Sequence, residues 1–207
     1  MSGGPDTGNL ERLGAFCDGV FAIAITLLVL DVRVPTAEAV TARGLWGALG
    51  ERWGSYAAFA LSFVIIGIMW ANHHNIFRYI RRSNHVFVLL NLGLLLGVAV
   101  LPFPTAVLAA YLPVAGARTA ATVLYGANLT CTALAFNAVW RYAAGGGGRL
   151  LKADADPRLV AYVTREYLLG PVLYAVATVV ALLNVGVSLG IHALLAGLFF
   201  LPNPSRP

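Results

Sequence analysis

Arg12-Leu13-Gly14-Ala15-Phe16-Cys17-Asp18-Gly19-Val20-Phe21-Ala22-Ile23-Ala24-Ile25-Thr26-Leu27-Leu28-Val29-Leu30-Asp31 is the stretch on which the fold turns. It opens on a base, closes on an acid, and is almost wholly apolar between them. A helix needs about 20 such residues to cross the hydrocarbon core of a bilayer, and this run supplies them. One residue breaks the pattern. Asp18 lies near the start of the run, and a carboxylate at the centre of a membrane helix costs about 2.5–3.5 kcal/mol, less toward an end. It therefore calls for a partner, and two roles are open: a polar network that locks helices together, or direct binding of an ion. The segment is expected to be a retained span rather than a cleaved leader. Its flank holds Asp6, Glu11 and a single base, Arg12, although Ala37-Glu38-Ala39 has the small residues of a cleavage site.

Working outward, the rest of the chain repeats the same kind of run. Of 207 residues 59% are hydrophobic and 11% charged, with a mean hydropathy of +0.78. Soluble domains carry about 25% charged residues, and a soluble fold of this composition would expose apolar patches of a size monomers avoid. Spans are predicted at 12–32, 54–78, 85–112, 119–143, 166–184 and 187–201. A short amphipathic piece around Leu45–Trp53 precedes the second, and the sixth ends at Pro202-Asn203-Pro204. Pro102 and Pro104 predict a break or kink in the third. Gly145–Gly148 and the polar Lys152–Arg158 read as a flexible connection. Each span has to be helical, because a lone strand leaves its backbone unsatisfied in hydrocarbon. The expected fold class is thus an all-α integral membrane protein, one six-helix domain over 1–207 without an internal repeat.

Charge and cysteine usage narrow the partners. The net charge of +5 is spread singly between apolar runs, so the expected partner is the lipid bilayer and not nucleic acid. Arg12, Arg78, Arg81, Arg82, Arg141, Arg149, Lys152, Arg158, Arg165 and Arg206 fall on one side of the membrane, and only Arg33, Arg43, Arg52 and Arg118 on the other. The bias predicts a multi-pass protein with both termini in the cytoplasm. Cys17 and Cys131 lie inside apolar runs and suggest neither a disulfide framework nor a metal cluster.

Helical geometry then sorts the first span. At about 100° per residue, Ile23, Leu27 and Leu30 fall within about 60° of one another, with Thr26 beside them and Asp18 about 140° from Ile23. Such an aliphatic stripe is ordinarily lipid contact or core. The second span ends Trp70-Ala71-Asn72-His73-His74-Asn75-Ile76-Phe77. Adjacent histidines point about 100° apart, whereas helical zinc sites use i, i+4 spacing, so no metal is expected. A histidine facing the polar start of the first span, with Asn91 of the third, is the better use of these residues. Two decoys are set aside. Thr122-Val123-Leu124-Tyr125-Gly126 lacks the central glycine of a potassium-channel filter and sits in an apolar helix. Gly145–Gly148 before Arg149 lacks the ending of a phosphate loop. No nucleophile elbow or pair of deep carboxylates points to an enzyme. A proton-coupled small-solute or cation transporter, with Asp18 and the histidines as relay, is the alternative class; the absence of inverted repeats argues against it.

The first span closely resembles the signature of the transmembrane protein 175 family, the endolysosomal potassium channels and their prokaryotic relatives. That signature is an arginine, three residues, then Phe-Ser-Asp, opening a helix that continues Gly-Val-Phe-Ala-Ile-Ala. Arg12, Phe16, Asp18, Gly19, Val20, Phe21, Ala22, Ile23 and Ala24 match, and Cys17 stands for the serine, keeping its size and weakening its hydrogen bond. Trp70, His73 and His74, and Asn91 with Leu101-Pro102-Phe103-Pro104-Thr105, also resemble the family. The resemblance implies a potassium-preferring cation channel without a glycine-rich filter loop or cofactor, permeated by K+. It further implies a homotetramer of single six-helix chains in a prokaryotic plasma membrane, with the first helices around the pore. Carried over, Ile23 is the hydrophobic constriction, Leu27 and Leu30 line the pore beside it, and Thr26 forms a hydroxyl ring tied to potassium preference. Arg12, Phe16, Cys17, Asp18, Trp70, His73, His74 and Asn91 are the implied structural network. Asp31, near the outer end, is open to two uses: concentrating cations, or simply a solvated helix-end charge.

Overall fold

Long runs of leucine, alanine and valine, punctuated by proline, glycine and a few polar caps, set eight helices in the computed structural model, which describes residues 5–148 and 150–200. Helix α1 is Pro5–Leu27, extended by a 3-10 turn at Leu28–Asp31. It is followed by α2 (Ala37–Gly50), α3 (Trp53–Tyr79), α4 (His85–Val100), α5 (Pro102–Tyr111), α6 (Arg118–Gly148), α7 (Pro157–Val180) and α8 (Val185–Phe200). Arg149, Arg206 and Pro202-Asn203-Pro204, used above for topology and for the last span's end, lie outside the described residues.

Among the described residues five stretches are long and apolar enough to cross a bilayer: Gly8–Asp31, Ala37–Tyr79, His85–Tyr111, Arg118–Gly145 and Pro157–Val180. The last apolar helix, α8, has 16 residues; at about 1.5 Å per residue it falls short of the ~30 Å core.

The prediction of a break in the third span meets a specific geometry. Leu101 keeps helical angles, φ −54° and ψ −35°, and its N–H reaches Val98 O at 3.2 Å. Pro102 then supplies no donor, so α4 and α5 part through a missing rung rather than a turned backbone. Gly145–Gly148, expected as a flexible connection, instead continue α6. The chain straight after them is anchored: Leu150 and Leu151 are buried. Arg81 N–H donates to Leu150 O at 2.8 Å and Lys152 N–H to Tyr79 O at 2.9 Å, an isolated antiparallel bridge between Ile80 and Leu151. The amphipathic piece expected around Leu45–Trp53 falls on the second half of α2 and the turn into α3; α2 is capped by Thr36 and kinked at Gly44, whose φ of 70° suits glycine.

Helix α6 is the centre of the bundle and packs on α4, α5, α7 and α8, while α1 packs on α3 and α4. Two glycines bring backbones close. A Cβ on Gly97 of α4 would press on the Thr132 side chain of α6, its Cβ only 3.2 Å away, and one on Gly126 of α6 would meet Thr178 Cβ of α7 at 3.0 Å. Small residues at such crossings are how membrane helices gain packing without a hydrophobic drive.

Candidate functional site

Leu13, Cys17, Phe21, Ala24 and Leu28 recur every three to four residues along α1 and are buried, which seats the helix on α3 and α4. The opposite face is left bare. Ile23 is 61% exposed, Leu27 42% and Leu30 71%, and Thr26 between them is exposed too. The 3-10 turn has about three residues per turn, so Leu30 stands directly above Leu27. Ile25 is half-buried and packs against the core. The Thr26 hydroxyl lies 2.9 Å from both Ala22 O and Ile23 O and donates back into its own helix. Its proton is thereby occupied while oxygen lone pairs remain to accept, or to face a cation. The bare face thus carries aliphatic groups and one helix-fixed oxygen.

The polar residues grouped in the sequence separate into two pairs. Asp18 is exposed on α1, and its Oδ1 accepts from Trp70 Nε1 of α3 at 2.9 Å; His74 tilts against the Trp70 indole at 5.9 Å between ring centroids. His73 is buried, and its Nε2 lies 3.0 Å from Asn91 Oδ1 of α4. Asn91 Nδ2 donates to Phe87 O at 2.7 Å. That bond fixes which end of the amide is the carbonyl, so His73 Nε2 is the donor. Phe21, Phe77 and Phe136 surround the imidazole at 5.4, 4.5 and 6.5 Å. The signature residue Phe21 therefore reaches the network through ring contact. Cys17 lies in the apolar core, and Phe16, 54% exposed, belongs to the bare face rather than to either pair. Arg12 is exposed near the start of the helix.

A third polar knot was not singled out in the sequence. Ser62 of α3, Thr105 of α5 and Tyr125 of α6 are buried, with Ser62 Oγ 2.8 Å from Thr105 Oγ1 and 3.1 Å from the Tyr125 hydroxyl. Thr105 also donates to Leu101 O at 2.8 Å, next to the proline break. Thr105 and Tyr125 stood inside quoted motifs; the signal available for Ser62 was a hydroxyl in the middle of an apolar run. His192 is likewise buried, its Nδ1 2.9 Å from Ser188 O. Among the described residues no group of three or more His, Cys, Asp or Glu side chains is placed to hold a metal.

An all-helical chain of several apolar helices, bare on one face of its first, is a multi-pass membrane protein. Residues 12–102 match the family of the endosomal/lysosomal potassium channel TMEM175. A protein of Chamaesiphon minutus named as a potassium channel is 45% identical over 95% of this chain and 96% of its own length. One of Streptomyces collinus, also named as a potassium channel, is 42% identical over 94% and 95%. The crystal structure of a lysosomal potassium-selective channel TMEM175 homolog from Chamaesiphon minutus superposes with a TM-score of 0.85 at 40% identity, covering 93% of this chain and 96% of that one. The chain belongs to the TMEM175 family.

Proposed function

We propose that this protein is a potassium-preferring cation channel, a homotetramer of six-span chains in a prokaryotic plasma membrane with both termini cytoplasmic. The observation that carries the reading is the bare face of α1, where Ile23, Leu27 and Leu30 stand exposed around an exposed Thr26. One such face per chain cannot enclose a conduit, and closed symmetry is the usual remedy. Four copies bring four Ile23 side chains to one level, a ring that resists ions because a cation sheds water there without replacement oxygens. Four Thr26 oxygens, each held by its own helix, offer such replacements one turn further on. Asp18 and Trp70 fasten α1 to α3 and keep this face turned inward. The names borne by the two close relatives favour the same reading, and α8 completes the six spans by sitting against the bundle in a locally thinned bilayer.

Flux in liposomes tests it. Ile23→Ser is expected to wet the constriction and raise potassium flux severalfold. Thr26→Val is expected to blur discrimination between potassium and sodium, and Ile25→Ser to do neither. Flux should follow the potassium gradient with no proton gradient present, which a proton-coupled transporter would not allow. If Ile25→Ser dominates while the Ile23 and Thr26 variants are silent, α1 is turned otherwise and the pore assignment fails.

A further inference from the structure

We infer that the groove between the α3–α4 loop and the α6–α7 connection is a binding site for an anionic phospholipid. The groove is about 600 Å³, and Arg81, Arg82 and Lys152 line it together with Leu151, Val160 and Ala161. Its lining holds no carboxylate. The nearby Asp156 is turned to the end of α7, where its Oδ1 accepts from Arg158 N–H at 2.8 Å.

The general bias of bases toward one side of the membrane explains why each cation is there. It does not explain their convergence on one cavity, which the Ile80–Leu151 bridge produces by fixing the two loops beside each other. Arg81 and Lys152 are exposed and each follows a bridge partner, so the pairing sets how far apart their backbones stand. A guanidinium grips a phosphate through two parallel N–H donors, and an ammonium adds a point charge.

The other wall decides the kind of anion. Val160 and Ala161 of α7 and Leu151 present apolar surface where α3 and α6 end and α7 begins, at the end of three apolar helices. A water-soluble phosphate would leave that wall unused. A phospholipid uses both parts, its phosphate on Arg81 and Lys152 and the start of an acyl chain on α7. Basic pockets between membrane helices on the cytoplasmic side hold anionic headgroups in this way. The leaflet, inner, rests on the topology proposed above; the binding itself does not.

The test uses the whole protein in detergent, with lipid binding counted by native mass spectrometry and checked by thermal shift. Phosphatidylglycerol is expected to bind saturably, one per chain, and phosphatidylcholine of the same chains is not. Arg81→Gln/Lys152→Gln should weaken phosphatidylglycerol about 25-fold, taking roughly fivefold per charge. Arg141→Gln/Arg158→Gln, which removes two bases outside the groove, should leave it unchanged. Ala161→Glu adds a carboxylate to the groove without touching the bridge, and should weaken binding even if the double variant fails to fold. Equal binding of phosphatidylcholine, or parent-like affinity in the groove variants, overturns the site. Glycerol phosphate competing as tightly as the lipid overturns the lipid assignment. None of these readings depends on ion flux, so failure of the channel proposal leaves them standing.

Discussion

His73 shows what a single polar side chain does inside this bundle. Its Nε2 proton goes to Asn91 Oδ1, and both residues are buried. His73→Phe fits the surrounding aromatic cage but strands the Asn91 carbonyl, an unmet acceptor that costs about 1–3 kcal/mol. A lower melting temperature in detergent is the expected outcome. Adding Asn91→Leu should recover most of the loss, since removing both partners is nearly neutral. Trp70→Phe takes the donor from Asp18, and about 1 kcal/mol should go with it; the same thermal scan reads it. At this scale the sequence groups Asp18, Trp70, the two histidines and Asn91 as one network and does not divide it into pairs. The stripe Ile23–Thr26–Leu27–Leu30 follows from helical period alone. The division of the network into Asp18–Trp70 and His73–Asn91 depends on how α1, α3 and α4 are rotated against each other, which no spacing within one helix encodes.

Elements were legible where a residue acts on its own backbone. Pro102 removes a donor wherever it stands, so the break between α4 and α5 could be read in advance, and Asp156 before Pro157 marks the start of α7 by the same logic, although the fifth span was expected only from 166. The four glycines after Ala144 misled, because tertiary contacts of Leu150 and Leu151 hold the chain that follows them. Glycines at helix crossings were equally opaque, since their value lies in a neighbour. Gly97→Ala and Gly126→Ala should each destabilise by about 1–3 kcal/mol through overpacking against Thr132 and Thr178. Gly93→Ala, with nothing within 4 Å of the added carbon, should not. Parallel thermal melts of the three variants separate packing from any general effect of alanine.

For the whole molecule, composition reaches the membrane and the charge bias makes the prediction to be tested. Reporter fusions at Ser83 and Gly147 should read cytoplasmic and one at Ala37 external; an external signal at Gly147 would overturn the span count. Light scattering of the purified protein, corrected for detergent, should give about four times the 21.9 kDa chain. A single-chain mass would leave the bare face of α1 without a partner and the pore proposal without walls.

The backbone pairing of Tyr79–Arg81 with Leu150–Lys152 has a consequence for how the ends of α3 and α6 open. Arg81 and Lys152 sit in exposed loops, where amide protons ordinarily trade with solvent at once. Both are bonded across the bridge, at 2.8 and 2.9 Å. In deuterated buffer their uptake should lag that of Ser83 and Ala153. Because one separation of the loops frees both amides, the two should also share one protection factor once their intrinsic rates are divided out. The ends of α3 and α6, far apart along the chain, would then breathe as one unit.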